Sequence, residues 1–468
     1  MRYLGVDLGT SFIKGATLDL DALTIAQVER CPMPEPVPGL PPAFREFDPD
    51  EIVVATRALL ERLLDHTPDA QGLMMCSQLH GLVFADNRGR AVSNLINWQD
   101  QRALLPLPGG AGSYFDEINR RLTPEERRQL GNEPRPGVPL CFLFWLAQHR
   151  ALPAEPAIAA TLPGFVVAQL CGGTPQVEVT NAFAHGAWNL ETGDWHHQVI
   201  AKLGLEKVRW PQINRQGSVV GEARLGSRRL PVFAPVGDYQ CSQVGALLGE
   251  RELSINISTG SAVIQLSRGL EFGDYQTRPF FDGRHLRTIT HIPGGRALNA
   301  LIRLLSELAE AQGVKLRDPW DYILAEAARL SSTDLRVNPA FYFSATGDRG
   351  AVTNMREENL SVGHLFRAAF EGMADNYARC AIRISPGRDW QRLVFSGGLA
   401  FKIPLLRRLI CERLGQAHRL APSEEDTLLG LLALALAASG RASSVSDAMG
   451  LLRATTTVPA AQAVVERK

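Results

Sequence analysis

Several features are scarce or missing in this chain of 468 residues. It has no excess of charge of either sign, with 49 Lys plus Arg against 49 Asp plus Glu. With no dense Lys/Arg block either, a dedicated nucleic-acid or membrane-surface role is disfavoured. The longest apolar run, Leu428 to Ala438, is about half of what a bilayer-spanning helix needs. Cysteine is sparse, seven residues with no CxxC pair, which argues against a zinc site or a disulfide framework and for reduced thiols in the cytoplasm. Asp7 comes too early for the apolar core of a signal peptide. No GxxxxGK[ST] and no GxGxxG run occurs, so neither a P-loop nor a Rossmann phosphate cradle is indicated.

What is present reads as an α/β chain of two to four domains, at roughly 100–200 residues each. Tyr3–Asp7 and Phe12–Leu18 are β-rich runs around a Gly/Thr/Ser turn, which predicts a hairpin. Six prolines between Cys31 and Pro42 predict a loop. Helical spacing marks 52–64, and a buried strand at 72–76 leads into Ser77-Gln78-Leu79-His80-Gly81. The Pro-, Gly- and charge-rich region 106–139 reads as irregular with short helices, followed by a helix at 140–149. A second strand–turn–strand at 253–266, turning on Ser258-Thr259-Gly260-Ser261, echoes the first and suggests two related halves. A third unit runs from a strand ending at Val394-Phe395, through Ser396-Gly397-Gly398, into a helix beginning at Pro404. The segment 426–438 is apolar nearly all round, as a buried helix should be.

Phosphate can be held without a P-loop. A tight turn of Gly, Thr and Ser can aim backbone N–H groups and hydroxyls at an anion, since no large side chain blocks the approach. Two such turns facing each other, Gly9-Thr10-Ser11 and Ser258-Thr259-Gly260, would clamp a polyphosphate; either alone also suits an ordinary hairpin. Gly397-Gly398 could let a flat base lie on the backbone, or could simply make a tight strand–helix turn. Asp7 ends an apolar strand and is either a cap of the turn or a ligand of a divalent cation. Asp238 follows an apolar run and is either a helix N-cap or a working carboxylate. Gln78 and His80 share one side of an extended segment and suit a polyol, and His80 suits a structural role as well. Trp98, Asp100 and Arg102 offer an aromatic wall with hydroxyl partners, or a surface ion pair.

In this order, from Gly5 to about Ala438, the segments together resemble the FGGY family of carbohydrate kinases. The motifs carrying the resemblance are Gly5-Val6-Asp7-Leu8-Gly9-Thr10-Ser11, Ser77-Gln78-Leu79-His80-Gly81, Trp98-Gln99-Asp100-Gln101-Arg102, Gly237-Asp238, Ser258-Thr259-Gly260, and Ser396-Gly397-Gly398-Leu399-Ala400 with Lys402 and Pro404. Ser77, Tyr239 and the order Ser258-Thr259-Gly260 depart from the commoner family pattern and look most like its sedoheptulokinase branch. The resemblance implies two actin-like, ribonuclease-H-like domains with an interdomain catalytic cleft, residues 1–245 holding the sugar and 246–468 the ATP. It also implies Asp238 as catalytic base and Asp7 with Asp238 at Mg²⁺. Sugar recognition then falls to Gln78, His80, Trp98, Asp100, Arg102 and Asp238. ATP contacts fall to Gly9, Thr10, Ser11, Thr259, Gly260, Gly397, Gly398 and Lys402; Lys14 either approaches the phosphates or is a solvated hairpin residue. The expected activity is ATP-dependent phosphorylation of a ketose, sedoheptulose first, with xylulose or another ketose or polyol as the alternative. A non-phosphorylating actin-like ATPase or a sugar sensor is the alternative of another class. The partners implied are a small sugar and ATP, with a homodimer as an option and no nucleic acid or membrane.

Overall fold

Each half of the chain opens with a hairpin, and each hairpin seeds a sheet. The computed structural model describes residues 1–455; residues 456–468, assigned above to the second half, lie outside the described residues. In the first sheet, strand Arg2–Leu8 pairs antiparallel with Phe12–Asp19 and parallel with Leu73–Ser77. Phe12–Asp19 pairs in turn with the edge strand Thr24–Pro32. Arg228–Phe233 joins beyond Leu73–Ser77. In the second sheet, Glu252–Ile257 pairs antiparallel with Gly260–Ser267 and parallel with Arg392–Ser396. Gly260–Ser267 pairs with His285–Pro293, and His418–Leu420 lies parallel to Arg392–Ser396. Numbering the five core strands of each sheet in chain order, both run 3-2-1-4-5, so the echo between the hairpins extends to the whole topology. This is the mixed α/β, two-sheet, actin-like architecture.

The helices follow from local signals. Pro49–His66 starts with Asp48 accepting the Asp50 N–H at 2.9 Å and Pro49 in the first turn, where its missing donor costs nothing. Its face Ile52, Leu59, Leu60 and Leu63 covers the first sheet together with Leu162–Cys171. On the second sheet the cover is Val362–Ile384 and Pro404–Leu414.

Helices Asp238–Gly245 and Asp426–Ala438 are sandwiched where the two sheets meet. They cross at two glycines: a Cβ on Gly245 would stand 1.8 Å from the Asp426 carbonyl oxygen, and one on Gly430 2.1 Å from that of Cys241. Neither position can accept a side chain without separating the helices. Asp426–Ala438 packs on strands of the first sheet, and Val445–Thr455 packs in turn on Asp426–Ala438 and Asp238–Gly245. An all-round apolar helix announces burial but not the sheet that buries it.

Candidate active site

The sheet register brings the acidic residues together. Asp7 lies opposite Cys76, and Cys76 lies opposite Val236, on three parallel neighbours. Asp238 follows two residues later at the head of its helix, at the carboxyl ends of the parallel strands, where open α/β sheets bind ligands. The turn that carries it is braced from residues 178–181. Thr180 accepts the Gly237 N–H at 2.9 Å and donates to Glu178, while the Asn181 amide donates to the Pro235 carbonyl at 2.9 Å.

Glu178 is fully buried, and loss of water lifts its carboxyl to about 7. The folded chain therefore keeps a proton that the unfolded chain releases, and this favours folding most below an ordinary glutamate pKa. The contribution is lost as pH rises towards 7. Glu178→Gln should flatten that slope, so that melting temperatures at pH 5 and pH 8 lie closer together than in the parent; an unchanged pH profile would contradict the assignment.

Asp238 lines a cavity of about 400 Å³ together with Thr10 from the first turn and Thr259 and Gly260 from the second. The carboxylate and both hydroxyl-bearing turns thus share one crevice. Scarcity of water and the facing Asp7 carboxylate push Asp238 well above the ordinary carboxylate range. Asp7 is raised by burial, and Asp426 is pushed up to about 7 by burial and by Asp7. Asp7 Oδ2 accepts from Thr427 at 2.8 Å, whereas its Oδ1 is buried with no hydrogen-bond partner. An unpartnered carboxylate oxygen amid three crowded carboxylates suits a divalent cation that keeps most of its waters and takes phosphate oxygens. Among the described residues no three His, Cys, Asp or Glu groups close on a single metal position.

The other expected residues divide into two sets. Gln78, His80 and Trp98 reach the cavity. Gln78 Oε1 accepts from Asn97 at 2.8 Å and from Thr10 at 3.3 Å, and the Trp98 indole donates to Thr10 at 3.0 Å, so these side chains also hold the first turn. His80 is in the left-handed region, φ 66°, its Nδ1 2.8 Å from the Ala184 carbonyl oxygen.

Asp100 and Arg102 do not line the cavity, correcting the expectation that they meet the sugar. Both are buried, and Arg102 opens a short 3₁₀ helix in place of the expected extended segment. Its guanidinium grips Asp100 through two 2.8 Å bonds and stacks over Phe44, while Asp100 also accepts the Arg45 N–H at 2.8 Å. A carboxylate so fully occupied has no acceptor capacity left for a substrate hydroxyl. Lys14 reaches Glu425 at 2.6 Å, and Lys402 sits 5.0 Å over Trp320 and 3.9 Å from Asp318, so neither stands free at a phosphate.

Gly9 and Ser11 flank Thr10 in the first turn, and Gly397 in the third abuts the second. Gly397 has φ 84°, and a Cβ there would meet Ser258 Oγ at 2.5 Å. Gly398 faces open space, with nothing within 4 Å of an added Cβ. Gly398→Leu should therefore leave folding intact and raise the KM for ATP severalfold, with the sugar KM little changed, in steady-state assays. A change confined to the sugar KM would contradict the adenosine placement.

Sequence reasoning missed the cationic wall opposite Asp238. Glu133 is fully buried and takes Arg278 through bonds of 3.0 and 2.7 Å as well as Arg135. Arg135 also reaches Thr290 and, at 2.9 Å, the Nδ1 of His291, which lies at φ 59°. The adjacent Arg135 charge and burial lower His291 to about 3, so it is neutral. These contacts link residues 133–135 to the second sheet across the crevice. A larger cavity of about 670 Å³, by Arg336, Arg367 and Asn376, shares no residue with either turn, and its Arg367 and Arg413 are spent on Glu371 and Asp375.

Two matching actin-like sheets thus border one crevice, with a raised carboxylate at the strand ends and a hydroxyl-bearing turn on each side. Residues 2–245 match the N-terminal domain of the FGGY family of carbohydrate kinases and residues 295–439 its C-terminal domain, and the chain belongs to that family. It is similar to the sedoheptulokinase of Mus musculus, 26% identical over 457 residues, covering 86% of this chain and 91% of that one. It is also similar to a xylulose kinase of Staphylococcus epidermidis, 25% identical over 276 residues, 56% of this chain and 52% of that one. Among solved structures, the gluconate kinase of Lactobacillus acidophilus superposes with a TM-score of 0.83 at 19% identity, over 97% of this chain and 92% of that one. The chain is thus an ATP-using carbohydrate kinase, with an alcohol group as acceptor. No described helix is long and apolar enough to cross a membrane.

Proposed function

We propose that this kinase transfers the γ-phosphoryl group of ATP to a terminal hydroxyl of sedoheptulose, giving sedoheptulose 7-phosphate. The observation that carries the catalytic reading is Asp238, proton-hungry and set on the same crevice as Thr10, Thr259 and Gly260. A sugar hydroxyl is a poor nucleophile because it holds its proton. Asp238 accepts that proton as the sugar oxygen bonds to the γ-phosphorus, and the bond to the β–γ bridging oxygen breaks with its electron pair leaving on ADP. A base with a raised pKa accepts the proton more readily near neutral pH than an ordinary carboxylate does. The Gly9-Thr10-Ser11 and Ser258-Thr259-Gly260 turns orient the phosphates, and Gly397-Gly398 borders the adenosine. Asp7, through its unpartnered Oδ1, and Asp238 would hold Mg²⁺, which when bound offsets phosphate charge. Gln78, His80 and Trp98 contact the sugar.

The choice of sedoheptulose is supported by a likeness to sedoheptulokinase that runs over 86% of the chain, whereas that to the xylulose kinase covers 56%. Xylulose is the second reading. Coupled ADP release across sedoheptulose, xylulose, ribulose, fructose, glycerol and erythritol tests it. Sedoheptulose should give the highest kcat/KM; a higher value for another sugar replaces the substrate, and equal ADP release without sugar overturns the proposed transfer.

A further inference from the structure

The transferring phosphoryl group carries charge on three equatorial oxygens, and an Arg or Lys aimed at them is worth more in the transition state than in the bound ATP. The residues expected in that role are occupied. Lys14 is held by Glu425 and Lys402 by Asp318 and Trp320. Arg135 and Arg278, both on the crevice wall, are spent on Glu133.

Among the described residues, one cation of the crevice is left. Arg296 is the second residue of helix Gly295–Ala311, and it lines the cavity with Asp238, Thr259 and Gly260. Its position is fixed by the second turn: the Gly295 N–H donates to the Ser258 carbonyl at 2.8 Å and the Arg296 N–H to that of Thr259 at 2.9 Å. Among the described residues its guanidinium has no hydrogen bond and no ion pair, and it rests 4.2 Å over the Tyr342 ring. Stacking of this kind holds a guanidinium in place while leaving its N–H groups in the ring plane free for an anion.

We propose that Arg296 contacts the γ-phosphoryl oxygens during transfer and is the cation that stabilises their developing charge. The fork of N–H donors would bind two oxygens at once, which a lysine cannot do. The residue deepens the kinase reading and leaves the identity of the sugar open.

Arg296→Met should lower kcat by about 10²–10³-fold, the loss typical of removing one such donor. The KM for sugar and the affinity for ADP should stay within about threefold, because the interaction belongs to the transition state. Trapping of ADP with aluminium fluoride, a mimic of the transferring group, should be lost while ADP alone still binds. Added guanidinium should restore part of the rate to Arg296→Ala. Arg296→Lys should fall between parent and Met; it decides the matter alone if the Met protein does not fold. Turnover within about threefold of the parent for the Met or the Lys variant, or undiminished trapping, would overturn the proposal. A parent protein inactive on every sugar of the panel would instead count against the functional reading, so the two failures are distinguishable.

Discussion

Asp238→Asn should abolish sugar phosphorylation, lowering kcat by about 10²–10⁴-fold, the usual contribution of a positioned base. ATP binding should persist, since the turns at 9–11 and 258–260 and the glycines at 397 and 398 are untouched. The amide is nearly the same size and shape, so the loss cannot be assigned to repacking. It should also do something a merely structural residue would not. The Asp238 carboxylate is poor in water and faces Asp7, and both effects disfavour its charge in the folded state. Replacing it by a neutral amide relieves that repulsion, so the melting temperature at neutral pH should stay level or rise while activity disappears. Calorimetry with nucleotide titration reads both. Turnover within a few fold of the parent would remove Asp238 as the base; a large fall in melting temperature would make it a structural residue.

Glu133→Ala should produce the largest loss of stability of any single substitution considered. Glu133 is the counter-charge of two arginines, and Arg278 is itself 2% exposed, stacked 4.4 Å from Tyr239. The two guanidiniums hold the Glu133 carboxyl far below the ordinary glutamate range against the opposing effect of burial. Removing one partner of a buried ionic cluster leaves the others uncompensated in a poorly solvated place, at a cost of about 3–5 kcal/mol. The damage should reach the crevice as well. Arg135 and His80 lie on its wall, and Arg135 links it to Thr290 and His291 of the second sheet. Denaturant unfolding should therefore show a displaced midpoint, and the surviving folded protein a raised sugar KM. Glu133→Asp should recover part of both. A loss of unfolding free energy below about 1 kcal/mol, the scale of an exposed pair, would mean that water reaches the cluster.

What the sequence made legible was what the local pattern encodes. The two hairpins, the turn at 396–398 and the helix at 426–438 are each specified by residues adjacent in the chain, and the structure has all four. Repetition of the hairpin foretold the repeated sheet. Trp98–Arg102 shows where this stops. Alternation gave Asp100 and Arg102 a common face but could not see Phe44 and Glu46 closing over them, about 55 residues earlier in the chain. Glu133 and Arg135 sit in a stretch whose charge and prolines read as solvated loop, and their partners Arg278 and His291 are more than a hundred residues away. Asp426 looked like the start of a buried helix. Only its crossing against Gly245 brings its carboxylate near Asp7 and Asp238. Long-range pairing of charged groups leaves no periodic trace, and such pairs make up the wall of the crevice that the sequence did not reveal.

The proposed function requires one crevice to move a phosphoryl group from ATP to a sugar hydroxyl with Asp238 as the base. Phosphorus NMR of the complete reaction, with the parent protein, Mg²⁺, ATP and sedoheptulose, tests it directly. A sugar phosphomonoester should accumulate in step with ADP, and neither product should form with Asp238→Asn. ADP and inorganic phosphate without any sugar phosphate, or a phosphomonoester formed equally well by the Asn variant, would contradict it.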